Sequence, residues 1–367
     1  MFEIGLTIGV WAAKVLQASR KSTVGEGSTM RKIRAAAVAV ALATVFFAGF
    51  MPARAAEPLK ITISWAVVPG QLTAVLFNNP AILKHYGKSY TVELTHFRGS
   101  TPQITSLASG NIDFASLAFS SFGLAIQNAH LNDIRVVADL YQDGIPGYYT
   151  SEYMVRADSG ITKPEDLKGK IVATNAIGGA VDIASKKFLL NHGLQATRDY
   201  QVVEVQFPNM LASVEEKKVD LATMIMPFSI EAHRQNNLKT LFTVGDAMGP
   251  AQTTLLVARA PFIKAHRAVL VDFFEDWIRA LHWFYDPKNR EQAIKVVADF
   301  TKKPPSEYSD WLFTHKDNYR NVNALPNLAA LQNNLNVQKE LGFLNIPIDV
   351  KKYADISLVT EAAKRLH

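Results

Sequence analysis

From residue 59 onward, short runs rich in β-branched and aromatic residues alternate with helix-length segments, and the pattern runs through twice before helix takes over. Residues 59–65 alternate apolar and polar as a strand does, a helical stretch is expected at 71–86, and 90–97 reads as the second strand. A helix at 102–109, a strand at 112–116, a helix at 120–128 and a strand at 134–140 complete the first pass. The second pass has a strand at 152–156, a capped helical turn at 162–167 and a strand at 170–174. It continues with a helix at 179–192 stopped by Gly193, a strand at 202–205, a helix at 209–217, and strands at 220–224 and 253–258. Beyond Pro261 the chain is expected to be almost wholly helical, with helices at 265–285, 290–301 and later. Such alternation specifies an α/β fold with largely parallel sheets and helices on both faces. The aromatic cluster Trp277, Trp283, Phe284 and Tyr285 has helical spacing and reads as core.

One segment echoes another. Residues 107–115 and 214–222 each carry a helix end, a polar turn, an apolar residue, an aspartate (Asp113, Asp220) and the start of a strand. Two lobes of similar architecture would produce this pairing.

The N-terminus belongs to a different grammar. Met30-Arg31-Lys32-Ile33-Arg34 is basic, residues 35–50 are apolar, and Ala53-Arg54-Ala55 places small residues where a signal peptidase reads them. Residues 30–55 are therefore expected to be a secretory signal peptide, with a mature chain starting near Ala56. The apolar run is short of the ~20 residues that span a bilayer. Residues 1–29, upstream of a signal with its own methionine, are expected to be a leader from an over-extended start.

Processing also changes the charge. The full chain holds 39 basic and 33 acidic residues, but seven of the basic and two of the acidic ones lie in 1–55. The remaining 32 against 31 give a nearly neutral protein, which removes the electrostatic basis for nucleic-acid binding. There is no cysteine, so disulfides, thiolate catalysis, cysteine-ligated metals and a cysteine-linked lipid anchor are excluded. No H-E-x-x-H, G-x-S-x-G or phosphate-loop pattern occurs, and neither His233 nor His282 has a second histidine at i+3 or i+4. No cofactor and no metal is expected.

Three stretches carry a family resemblance: 97–103 with Gly110-Asn111-Ile112-Asp113; 158–170, containing Asp158-Ser159-Gly160-Ile161 and Asp166-Leu167-Lys168-Gly169-Lys170; and Lys218-Val219-Asp220 leading to Met224-Ile225-Met226-Pro227. In these, over about 59–260, the chain resembles the substrate-binding proteins of nitrate/sulfonate/taurine-type ABC importers, relatives of the thiamine-pyrimidine binding proteins. The resemblance implies a type II periplasmic-binding fold: two α/β lobes, a ligand cleft between them and a helical C-terminal extension. The first lobe would hold 57–146 and 250–367, the second 147–249. Crossovers are placed near 143–151 and 245–252, with Gly144-Ile145-Pro146-Gly147 as a hinge. The resemblance implies a monomeric periplasmic carrier, not an enzyme, that hands a small molecule to an inner-membrane permease and its ATPase.

In open α/β sheets, ligands bind beyond the carboxyl ends of strands, where helix N-termini offer unpaired N–H groups. Applied to this chain, that rule selects Ser64 and Trp65; Gly99, Ser100 and Thr101; Ser116, Ala118 and Phe119; Asn175, Gly178, Gly179 and Ala180; and Met226 with Pro227. Trp65 can equally be a core residue. Arg98 can pair with a ligand acid or support the fold. Apolar and small polar groups dominate, which suits a sulfonate or a carboxylate with an apolar body, and equally a pyrimidine stacked on Trp65. A sensor that feeds a receptor would share the same features.

Overall fold

The computed structural model describes residues 57–366. The expected signal peptide and leader lie outside the described residues. No helix among the described residues is long and apolar enough to cross a membrane.

Two five-stranded sheets organise the chain. The first contains β1 (Leu59–Trp65), β2 (Tyr90–His96), β3 (Phe114–Ala118), β4 (Ile134–Asp143) and β10 (Ala251–Arg259), in the order β2-β1-β3-β10-β4. The second contains β5 (Glu152–Arg156), β6 (Ile171–Thr174), β7 (Gln201–Glu204), β8 (Leu221–Met224) and β9 (Leu238–Thr243), in the order β7-β6-β8-β5-β9. The two orders are the same. In each sheet one strand runs against its neighbours: β10 is antiparallel to β3 and β4, and β5 to β8 and β9. Each reversed strand is the first one laid down after the chain has crossed from the other sheet.

The helices of the first pass are α1 (Ser100–Ala108) and α2 (Phe119–Gln127). Those of the second pass are α3 (Ala180–Asn191), α4 (Phe207–Glu215), α5 (Phe228–Gln235) and α6 (Val244–Met248). The C-terminal part is helical, as expected: α7 (Ala260–Tyr285), α8 (Arg290–Thr301), α9 (Leu328–Glu340) and α10 (Ser357–Lys364). Helix α7 covers one face of the first sheet, where Phe114, Phe273, Phe274 and Trp277 pack in one cluster and Phe284 is fully buried. Trp283 and Tyr285 pack against its edge. A second apolar cluster joins α2 and α9 to β3, β10, Tyr153 of β5, Ile183 of α3 and Phe242 of β9.

Residues 71–86 do not form the expected helix. Leu72, Val75 and Leu76 are buried at helical spacing, but through turns in which Val75 and Leu76 both donate to the Leu72 carbonyl. Pro80, which has no N–H to continue a helix, instead opens a 3-10 turn at Pro80–Ile82. Helices α5 and α6 and strand β9 were not expected from the sequence.

The echo between the passes has a structural role. The Asp113 carboxylate accepts the backbone N–H of Thr62 on β1 at 2.8 Å, and Asp220 accepts that of Ile171 on β6 at 2.9 Å. Asp113 thus ties β1 to β3, and Asp220 ties β6 to β8. The turn before it needs a left-handed residue, supplied by Gly110 (φ 76°) in one copy and Lys217 (φ 61°) in the other.

The crossovers, residues 144–151 and 244–250, run side by side. Asp143 staples the first, accepting Gly144 N at 2.7 Å, Ser151 N at 3.0 Å and Ser151 Oγ at 2.6 Å. Burial raises its carboxyl above the usual range despite these donors. Thr150 Oγ1 accepts Gly245 N at 3.0 Å, and the Ser151 carbonyl accepts Val244 N at 2.9 Å.

Candidate ligand cavity between the two sheets

A cavity of about 510 Å³ lies between the carboxyl ends of the two sheets and is walled by residues from both. That volume is in the range of sites that enclose one small molecule. The fold positions it because β2, β3, β6 and β7 each lead directly into a helix whose first turn faces the space. Those turns contribute Gly99, Ser100 and Thr101 of α1; Ala118, Ser120 and Ser121 of α2; Gly179, Ala180 and Val181 of α3; and Gln206 and Phe207 of α4. None of the four helices has a cap side chain accepting from its first turn. Their N–H groups and partial positive charge are thus directed at the cavity from two opposite walls.

Side-chain donors complete the wall. The hydroxyls of Ser120 and Thr254 are buried and have no hydrogen-bond partner among the described residues. Such groups cost free energy until something pairs with them. Tyr141 also lines the space, and burial together with nearby Asp143 pushes its phenol well upward, so it stays a neutral donor. Two charged side chains reach the cavity. Arg98, exposed, has no hydrogen-bond or ion-pair partner among the described residues, and Glu204 accepts Ile177 N at 2.7 Å. No histidine lines it among the described residues.

Of the residues selected from the sequence, the structure brings Gly99, Ser100, Thr101, Ala118, Asn175, Gly179, Ala180 and Met226 to the cavity. The other six lie elsewhere. Ser64 and Ser116 sit beneath the floor, where Gln103 Oε1 accepts both the Ser64 hydroxyl and Ser116 N, and Ser116 Oγ donates to the Ser64 carbonyl. This buried knot fixes α1 on the sheet. Trp65 leans outward on His96 and Phe300, with ring centroids 4.3 Å and 5.4 Å away. Phe119 turns into the apolar core, Gly178 lies under the Phe343 ring, and Pro227 serves as the cap residue of α5. Ser120, Ser121, Tyr141, Glu204 and Thr254 were missed. A search of whole first turns would have found the two serines. Tyr141 and Thr254 flank the crossovers, where no strand-to-helix signal exists.

The comparisons agree with this architecture. The alkanesulfonate-binding protein SsuA from Xanthomonas axonopodis pv. citri, solved bound to MOPS, superposes with a TM-score of 0.65 at 17% identity, covering 82% of this chain and 99% of that one. The periplasmic nitrate-binding protein NrtA from Synechocystis PCC 6803 gives 0.67 at 16% identity, covering 85% and 90%. The desulfurization enzyme DSZB shares the fold too, at 0.60 and 13% identity, covering 84% and 100%. No curated protein matches the sequence. These likenesses establish the two-lobed periplasmic-binding fold expected from the resemblance. Residues 54–298, more than half of the chain, match the model of the NMT1-like family, and the chain belongs to that family.

Proposed function

We propose that this protein is the periplasmic substrate-binding component of an ABC importer and that its ligand is a small organic anion of sulfonate or carboxylate type. The observation that carries this reading is the convergence of four uncapped helix N-termini on one cavity. An anion receives N–H donors there without the desolvation cost of meeting a buried positive charge. Thr254, Ser120 and Tyr141 add neutral donors, while Ala66, Val67 and Met226 give room for an apolar body. Arg98 at the rim adds attraction.

The two paired crossovers support a division into a lobe of 57–146 with 250–367 and a lobe of 147–249, which would close about them on the ligand. The closed form would then dock on the permease. The basic, apolar and A-x-A segments of 30–55 support export to the periplasm. Because DSZB has this fold, fold alone does not separate carrier from enzyme. The choice of carrier rests on the cavity wall, which among the described residues offers no histidine and, in a chain without cysteine, no thiolate.

The test is a thermal-shift screen of residues 56–367 against alkyl and aryl sulfonates, aromatic carboxylates, nitrate and pyrimidine precursors. A ligand at 100 times its Kd adds about 2.7 kcal/mol, a readily measured shift. Stabilisation by sulfonates or carboxylates supports the reading. Stabilisation by heterocycles alone overturns it in favour of a pyrimidine binder, and turnover of any hit overturns the carrier assignment.

A further inference from the structure

The C-terminal helix α9 and the turn after it are tied to both walls of the cavity. On the first-sheet side, Gln338 Nε2 donates to the Ser120 carbonyl at 2.9 Å, within the first turn of α2. Asn334 Oδ1 accepts Gln252 N of β10 at 3.0 Å, and Gln127 Oε1 accepts Asn345 N at 2.6 Å. On the second-sheet side, Lys187 of α3 pairs with Glu340 at 2.6 Å. The Phe343 ring lies on Gly178, so closely that a Cβ there would stand 3.1 Å and 3.2 Å from two ring carbons. Lys186 Nζ lies 4.9 Å from the centroid of the same ring. Gly178 belongs to the turn 175–179, whose Asn175, Ala176 and Gly179 line the cavity, and its N–H donates to Asp182 at 2.8 Å.

We infer that residues 328–343 form a clasp between the walls of the cavity, with Phe343 as the positioning residue for the 175–179 turn and the Lys187–Glu340 pair as an outer fastening. The two crossovers are the covalent links between the lobes. The clasp adds a connection that is not covalent, beside the apolar cluster shared by the two lobes and the Arg234–Glu307 ion pair. Contacts present in this arrangement and broken on opening shift the equilibrium toward the closed form, by the amount they differ between the two states. The exposed ion pair is weak and screened by salt, so the packed ring carries most of that bias. Affinity would then be set partly from outside the cavity, by residues that never touch the ligand.

This inference rests on the two-lobe reading of the cavity, but its test uses no ligand, so it can fail or succeed independently of the ligand assignment. The chain has no cysteine, so Ser109→Cys and Lys218→Cys, on exposed turns of the two sheets' far ends, allow paired spin labels without background. The expected result in the ligand-free protein is a label distance longer by more than about 2 Å in Phe343→Ala. Amide exchange at 176–180 should be faster in that variant. Lys187→Glu should lengthen the distance to a lesser degree, and adding Glu340→Lys should restore it. Rescue by the reversed pair is something general destabilisation would not give, and it decides the matter if Phe343→Ala fails to fold. Distance distributions of Phe343→Ala and Lys187→Glu that superimpose on the parent would overturn the clasp.

Discussion

Replacing Gly144 by alanine should damage the crossovers more than any other single methyl group added to the hinge. Gly144 has φ 65°, in the left-handed region, where an L-residue costs about 1–2 kcal/mol. Its Cβ would stand 2.2 Å from the Gly249 carbonyl oxygen, 2.9 Å from the carbonyl carbon and 3.1 Å from the Gly245 Cα. All three atoms are backbone of the other crossover, so no side chain can swing aside. The second crossover must retreat, at an overpacking cost of about 1–3 kcal/mol. The sum is about 2–5 kcal/mol, or roughly 4–20 °C in melting temperature at the 2–4 °C per kcal/mol of domains of about 150–250 residues. Gly147, three residues on, is the control: its φ is 83°, but nothing lies within 4 Å of a Cβ there. Gly147→Ala should therefore carry only the backbone cost. Calorimetric melts of both variants check the difference. A Gly144→Ala protein that melts no lower than Gly147→Ala would refute the close packing of the two crossovers.

Three further outcomes are expected. Thr254→Val removes a buried hydroxyl with no partner, so the ligand-free protein should melt at the same temperature or higher, while titration calorimetry shows affinity for a ligand found in the screen reduced by about 0.5–1.5 kcal/mol. Asp317→Ala strands the buried Arg320 guanidinium, which it pairs at 2.9 Å, and should cost about 3–5 kcal/mol in denaturant unfolding; a loss below 1 kcal/mol would contradict the pairing. Burial pushes the Asp139 carboxyl from 3.8 up to about 6, against donors from Gln252 and Asn321. Between those values the native state keeps a proton that the unfolded chain has shed. The group's contribution is thus full below about pH 4 and lost as pH rises through 6, a fall of about 3 kcal/mol. A carboxyl carbon titration with its midpoint near 4 would show that the shift is absent.

Much of the architecture was legible because strands and helices in this fold have different periods and are separated by turn residues. The restart of the pattern at 152, the helical tail and the paired aspartates Asp113 and Asp220 all came from that grammar. The reversed direction of β5 and β10 did not, because a strand's orientation is decided by partners far away in sequence. The stretch 71–86 misled for a related reason. Apolar residues three and four apart can be buried by successive turns as well as by a helix, and only the position of Pro80 argues between them. Within the cavity, strand ends predicted which segments arrive but not which way their side chains point. Both faces of the inner strands are covered, so neighbours such as Ile63 and Ser64, or Ala115 and Ser116, are buried alike and burial does not tell the two faces apart. Ser64 and Ser116 consequently lie beneath the floor, bonded to Gln103, whereas Ser120, the second residue of α2, lines the cavity.

The reversed strand β10 also dictates an order of assembly. Strand β4 sits at the sheet edge with β10 as its partner, so the first sheet remains split until residues 251–259 have been made and inserted between β3 and β4. The second sheet needs nothing outside 152–243. A chain delivered N-terminus first can therefore complete the later sheet before the earlier one. Closing the first requires bringing together segments separated by that whole intervening unit, a non-local step of the kind that slows folding. For a polypeptide exported as proposed above, this delay keeps the leading segment unfolded while it is threaded through a membrane, and final assembly waits for the far side.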